Sequence, residues 1–286
     1  MQESAKESSY YRQMSDLTKY NPSQREAVTF GEGPLLVLAG PGSGKTFTIT
    51  QRILYLIHEK QIPPQKLLVI TFTREAAVSM RQRFLQISPQ HTTVNFGTFH
   101  SCFYQILLRS GRVSPGNILN EKQKKELIYP VLKKIKAHNT LSATDLPELA
   151  KNLLAAIGYY KNTGDLQSSM DRLPEEWKND FTQVYSGYEE ARKRIRGLDF
   201  DDMLKECEEL LQKDDALRAY WQNLFSYILI DEFQDINYRQ YCIVRLLAQK
   251  HKNVFAVGDD DQAIYGFRGA KPACMKQFVQ EFGAKQ

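Results

Sequence analysis

The sequence predicts an α/β fold, a parallel sheet flanked by helices, together with a mainly α-helical insertion. Three observations carry this expectation. Short apolar runs bounded by Gly, Pro or polar residues recur along the chain, segments of helical periodicity separate them, and the middle of the chain has a helical composition with no β-branched run.

Residues 35–39, apolar after Gly33-Pro34 and ending in a Gly-rich turn, read as a buried parallel strand. Residues 46–58 beyond that turn read as a helix. A second strand at 67–72, a helix at 75–86 and a third strand at 93–96 follow. Residues 111–196 are rich in Lys, Glu, Leu and Tyr and read as a helical insertion. Strands at 227–230 and 254–257, with a helix at 238–249 between them, complete the pattern. Strand and helix alternating in this way give a doubly wound sheet with ligands at the carboxyl ends of its strands.

Composition narrows the function classes without choosing one. The chain has 286 residues, 42% hydrophobic and 25% charged, and no apolar run reaches the roughly 18 residues that a membrane helix needs. The polar start, with no apolar stretch, is not expected to be a secretory signal. Cys102, Cys207, Cys242 and Cys274 are far apart and form no C-x-x-C pair, so a reducing cytoplasm is the expected compartment. A net charge of +5 and a pI near 8.8 permit a polyanionic partner without requiring one.

The chemistry is concentrated in a few segments. Ala39-Gly40-Pro41-Gly42-Ser43-Gly44-Lys45-Thr46 lies between an expected strand and an expected helix. Its glycines free the backbone to aim N–H groups at phosphate oxygens, and the helix adds its positive dipole end. Lys45 is expected to reach the β and γ phosphates of ATP, and the Thr46 hydroxyl to ligate Mg²⁺. A Gly-rich turn that binds nothing is the alternative. Asp231 and Glu232 end the apolar run 227–230. In phosphoryl transfer Asp231 would hold Mg²⁺ and Glu232 would orient and deprotonate water; taken alone, they read equally well as a solvated strand end or a helix cap.

Beyond a generic phosphate loop, three strings together resemble the UvrD/Rep/PcrA family of superfamily 1 DNA helicases. They are 39–46, Asp231-Glu232-Phe233-Gln234-Asp235, and the long segment 257–270, VGDDDQAIYGFRGA. The resemblance implies a RecA-like ATP-binding domain in two parts, 1–110 and 197–286, around the insertion 111–196. It implies that Gln24 reads adenine, since a side-chain amide offers both a donor and an acceptor. It places single-stranded DNA against Phe72, Thr98, Phe99, His100, Tyr265, Phe267 and Arg268, and makes Gln262 a sensor of the γ-phosphate. Relatives commonly carry Asn-Lys where this chain has Arg74-Glu75, Arg where it has Phe47, and Trp where it has Phe267.

Two further segments are open to competing readings. Residues 198–204, LDFDDML, match a family segment, but their carboxylates read as helix caps. Basic groupings at 122–125, 133–136 and 192–196 either lie along DNA or form solvated faces paired with Glu.

The resemblance also implies a second RecA-like domain, absent from this chain, that supplies arginines to the γ-phosphate. The chain is therefore expected to bind ATP and turn it over slowly, as part of an ATP-dependent translocase acting on single-stranded DNA and single-strand/duplex junctions, with no membrane partner. A non-catalytic ATP- and DNA-binding regulatory module is the alternative, and a small-molecule kinase would leave 258–270 unexplained.

Overall fold

Five parallel strands form one sheet in the order β1-β5-β4-β2-β3, in a computed structural model that describes residues 20–135, 146–259 and 273–286. They are β1 (Leu35–Leu38), β2 (Leu67–Thr71), β3 (Asn95–Thr98), β4 (Tyr227–Ile230) and β5 (Val254–Gly258). All neighbours pair in parallel, so every carboxyl end lies along the same edge. Parallel strands covered on both faces read as continuous apolar runs, which is why these short segments were legible.

The pleat divides the strands between two cores. Leu36, Leu68, Ile70, Ile228 and Ile230 face one, and Leu35, Leu67, Val69, Leu229 and Val257 the other. Helices α1 (Pro22–Thr29), α2 (Lys45–His58) and α3 (Arg74–Ile87) supply Ala27, Ile49, Ile53, Met80 and Phe84 to the second core. The first core is closed by α4 (Phe99–Arg109) and by later helices of the chain through Phe103, Leu204, Leu211, Tyr241 and Phe278. Each fully buried Leu, Ile or Phe contributes about 1.5–3 kcal/mol relative to exposure, so the sheet is a firm platform for its edge loops.

One strand lies two residues further on than expected. Instead of 93–96, β3 spans Asn95–Thr98, with Gly97 and Thr98 paired to Ile70 and Thr71. Gly97 reads as a breaker, but here it is required by proximity: a Cβ on it would lie 2.7 Å from Ser101 Oγ and 3.2 Å from Cys102 Sγ. The glycine lets the first turn of α4 fold back on the strand.

The middle of the chain is helical, as expected: α5 (Glu121–Ile135), α6 (Leu146–Thr163), α7 (Leu166–Met170), α8 (Glu175–Lys178) and α9 (Phe181–Arg194). It carries its own buried cluster, including Ile128, Leu153, Trp177, Phe181 and Tyr188. The chain enters and leaves side by side, where Leu119 N–H donates to Leu198 O at 2.9 Å and Leu198 N–H to Asn117 O at 2.7 Å.

At this return sits a buried ionic seam. Asp199 caps α10 (Phe200–Lys213), accepting from Asp202 N–H, with Asp202 closing a reciprocal capping box. Lys161 of α6 meets Glu189 at 2.7 Å, Asp199 at 2.8 Å and Asp202 at 2.9 Å. Arg192 of α9 reaches Glu189 and Asp202. Burial pushes the Asp199 carboxyl up, but the Lys161 ammonium and the cap hydrogen bonds more than offset it and hold it below its ordinary range. The seam continues into α12 (Tyr238–Ala248), where Arg239 donates to Lys161 O at 3.0 Å and pairs with Glu208 at 2.8 Å. The remaining helices are α11 (Asp215–Leu224) and α13 (Ala273–Phe282).

Among the described residues, no helix is long and apolar enough to cross a membrane.

Candidate nucleotide and nucleic-acid site

Because the strands are parallel, the edge at their carboxyl ends presents, in spatial order, the 39–46 loop after β1, Asp259 after β5, Asp231 and Glu232 after β4, Phe72 after β2 and Phe99-His100 after β3. Residues distant in sequence thus become one row.

The loop after β1 is tied to the sheet by Ala39 N–H, which donates to Gly258 O at 2.9 Å, and turns tightly where Ser43 N–H reaches Gly40 O. Gly42 and Gly44 adopt the left-handed region, with φ of 71° and 86°, which a side chain there would oppose. Gly44 is the N-cap of α2 and brings no side chain to its amides. The first amides of a helix have no intrahelical acceptor, so those of Lys45 and Thr46 face the loop as donors for an anion. Pro41 and Ser43 are exposed.

Gln24 stands beside this loop. Its Oε1 accepts from Asn21 N–H in the capping box of α1, and its Nε2 donates to Ser43 O at 3.0 Å. Each end of the amide retains one further donor or acceptor. Contact with a base therefore has to be made by an amide that is already oriented.

Lys45 Nζ lies 2.9 Å from Glu232 Oε2. Glu232 also accepts from Gln234 Nε2 at 2.8 Å, and Gln234 Oε1 accepts from Asp259 N–H at 2.9 Å. A continuous chain of contacts thus runs from Lys45 at the end of the 39–46 loop to the end of β5. Gly258 permits it, since a Cβ there would lie 2.9 Å from Gln234 Oε1 and 3.2 Å from Gln234 N. Glu232 has φ of 51°, a left-handed conformation costly for a residue with a Cβ, of the kind that concentrates at functional sites.

Asp231 is buried, and its carboxyl accepts from Glu232 N–H at 3.1 Å. Burial and then the neighbouring Glu232 charge push it up to about 6, against the pull of Lys45. Asp231 and Thr46 line one cleft of about 380 Å³ with Glu232, Phe72 and Gln234. A buried carboxylate held above its ordinary range, across a cleft from a hydroxyl, is an oxygen donor set that suits a Mg²⁺ keeping waters and substrate phosphates as its other ligands. No group of three or more His, Cys, Asp or Glu suited to an all-protein metal site occurs among the described residues.

At the far end of the row the expectations separate. Phe72 is half-buried in the cleft wall, and Thr98 is the N-cap of α4, accepting from Ser101 N–H. Phe99 is corrected by the structure: it is 2% exposed and packs on Phe103, so its ring belongs to the core and has no free face for a base. The spacing Phe99, Phe103, Ile106, Leu107 is an apolar helical stripe that carried this signal. His100 is accessible, and its ring meets Phe200 edge-on at 5.2 Å. Phe200, 47% exposed, was not singled out by sequence; it is the apolar residue that leaves the buried stripe of α10.

Arg192 is likewise withdrawn from the basic groupings, being buried in the ionic seam, while Lys122, Lys124 and Arg194 pair with Glu126, Glu121 and Glu190. Gln262, Tyr265, Phe267, Arg268 and Lys136 lie outside the described residues.

A family model described as UvrD/REP helicase N-terminal domain matches residues 20–283. Relatives include YjcD of Bacillus subtilis (strain 168), provisionally named an ATP-dependent DNA helicase, 40% identical over 276 residues. They also include the ATP-dependent DNA helicases PcrA of Staphylococcus aureus (strain Mu50), 37% identical, and of Staphylococcus epidermidis, 39% identical, each over 272 residues. The alignments cover 92–93% of this chain but 35–36% of the relatives, so the chain spans about a third of their length. With nearly the whole chain matched, and with the glycine loop and paired acids on one sheet edge, it belongs to the UvrD/REP helicase N-terminal domain family.

Proposed function

We propose that this chain is the N-terminal motor region of an ATP-dependent DNA helicase that translocates on single-stranded DNA and acts at single-strand/duplex junctions. The observation that carries the reading is the row of loops on one sheet edge, with the contact chain Lys45–Glu232–Gln234–Asp259 running along it.

The loop 39–46 holds the triphosphate of ATP through its amides, and Gln24 faces the base. Lys45 exchanges its Glu232 partner for the β and γ phosphates, a swap of one anion for another. Freed of Lys45, Glu232 orients the attacking water and accepts its proton. Thr46 and Asp231 hold Mg²⁺, which supplies charge neutralisation at the phosphate oxygens when bound. Gln234 reports the state of Glu232 to the end of β5, four residues before Gln262 in the sequence.

DNA follows the other end of the row, against Phe72, Thr98, His100 and Phe200. By resemblance, Tyr265, Phe267 and Arg268 add stacking faces and a cation. Stacking is tolerant of sequence, as a motor on any strand requires. Residues 111–196 form a subdomain between 1–110 and 197–286 that lies along DNA. A second RecA-like domain of the full-length protein closes over the nucleotide and supplies arginines, worth about 10³ to 10⁵ in rate in related systems.

ATP turnover with and without single-stranded DNA, in the full-length protein and its Glu232→Gln variant, tests the reading. The expected result is DNA-stimulated turnover that falls about 10²- to 10⁴-fold in the variant while ATP binding persists. Full-length protein without DNA-stimulated turnover would refute it and favour a regulatory binding module.

A further inference from the structure

The helix that carries Gln24 is gripped at both ends by one turn of the helix that carries the phosphate loop. Before α1, Tyr20 donates its hydroxyl to Gln51 Oε1 at 2.6 Å, in a buried contact. After α1, Arg52 donates to Val28 O at 2.8 Å, to Phe30 O, and to Gly31 O at 2.8 Å. These are carbonyls at and just past the C-terminus of α1, where orphan acceptors and the negative dipole end favour a cation.

Arg52 is 2% exposed, with its guanidinium 5.6 Å from the Tyr55 ring and 5.7 Å from the Phe255 ring. Burial pulls it down to about 10, which leaves it cationic at neutral pH. A buried guanidinium is costly unless its donors are used; here both terminal nitrogens are spent on holding a short helix in place, while Nε is buried without a hydrogen-bond partner.

The geometry matters because α1 is only eight residues long and its N-terminus bears the one side chain proposed to read the base. Gln51 and Arg52 sit in α2, whose first residue is Lys45, so they move rigidly with the phosphate loop. Gln24 itself is tied to that loop, among the described residues, by one hydrogen bond, Nε2 to Ser43 O. The separation between base reader and phosphate binder is thus set by the second turn of α2.

We infer that Gln51 and Arg52, with Tyr20, are positioning residues for base recognition: they fix α1 on α2 so that the Gln24 amide stands at the distance from the 39–46 loop that one nucleotide spans. This rests on the reading that the loop holds a nucleoside triphosphate with Gln24 toward the base. None of the three touches the nucleotide in this scheme; they act through Gln24.

The test compares dissociation constants of ATP, GTP and inorganic tripolyphosphate, each with Mg²⁺, for the full chain and for Gln24→Ala, Arg52→Lys, Tyr20→Phe and the double variant Gln24→Ala/Arg52→Lys. Lysine keeps the charge but cannot span three carbonyls. Arg52→Lys and Tyr20→Phe are expected to weaken ATP about three- to tenfold, the worth of one or two hydrogen bonds. Tripolyphosphate should stay within about twofold, and the preference for ATP over GTP should shrink. In the Gln24→Ala background, Arg52→Lys should have no further effect on ATP.

Equal weakening of ATP and tripolyphosphate by Arg52→Lys, or full additivity with Gln24→Ala, would overturn the inference, because Arg52 would then act on stability or on the phosphate loop. Should Arg52→Lys not fold, Tyr20→Phe decides alone: an unchanged ATP to tripolyphosphate ratio overturns it. The underlying reading fails by a different pattern, in which the unaltered chain binds tripolyphosphate as tightly as ATP or binds neither; the inference falls with it.

Discussion

Replacing Asp231 with Asn should make the chain more stable while removing its metal-linked nucleotide binding. Asp231 is 7% exposed, and burial and Glu232 raise its carboxyl from 3.8 to about 6. At about 1.36 kcal/mol per pKa unit, that rise corresponds to about 3 kcal/mol by which the folded state disfavours the ionised group. The sign follows from the two states. Near pH 7.5 the carboxyl is ionised both folded and unfolded, and the full cost is present. Below pH 3.8 it is protonated in both, and the cost vanishes.

Asn keeps an oxygen to accept the Glu232 N–H and carries no charge, so Asp231→Asn should gain about 2–3 kcal/mol at pH 7.5, and the gain should shrink toward zero as the pH falls from about 6 to 4. Urea unfolding of both proteins across pH 4 to 8, compared as a difference so that other titrating groups cancel, measures it. Equal or lower stability of the variant at pH 7.5, or a gap independent of pH, would refute the electrostatic account of this site. The trade of stability for function is ordinary for an acid held ready for a cation.

Lys161→Met leaves the buried Asp199 and Asp202 and the half-buried Glu189 around an apolar side chain and should cost about 3–5 kcal/mol, read as a lowered urea midpoint. Gly258→Ala sets a methyl 3.2 Å from the backbone N of Gln234, so it should destabilise by about 1–3 kcal/mol in the same assay, and Gln234→Ala should not fully rescue it. Phe200→Ala should weaken single-stranded DNA by about 1–3 kcal/mol in a fluorescence titration without changing ATP affinity, since the ring is exposed beside His100 and away from the phosphate loop.

How much of this was legible depends on how local the signal is. The loop 39–46 and the pair Asp231-Glu232 declare themselves because glycine spacing and a strand-end acid are short-range chemistry. Buried parallel strands declare themselves as apolar runs, but Gly97 hid the true extent of β3, because a close approach between strand and helix looks in sequence like a break. Phe99 was misassigned for the opposite reason: its motif pointed to DNA, while its helical spacing with Phe103 and Leu107 pointed to the core, and packing prevailed.

The ionic seam was half legible. Asp199 and Asp202 read as a cap from their spacing, but Lys161, 38 residues from Asp199, could be joined to them only by the fold. The clamp on α1 was invisible for the same reason, its partners being separated by 31 residues at Tyr20–Gln51 and by 21 to 24 at Arg52.

The common edge of the sheet also bears on how such a protein can change. Stability resides in the two apolar layers behind the strands, whereas Arg74, Glu75 and Phe47 stand exposed at the edge. Thr73 still caps α3 by accepting from Ala76 N–H, so the loop keeps its shape whatever occupies the next two positions. On the proposed function, substitutions at these exposed edge positions should therefore change affinity for strand or nucleotide while leaving the scaffold's stability nearly unchanged.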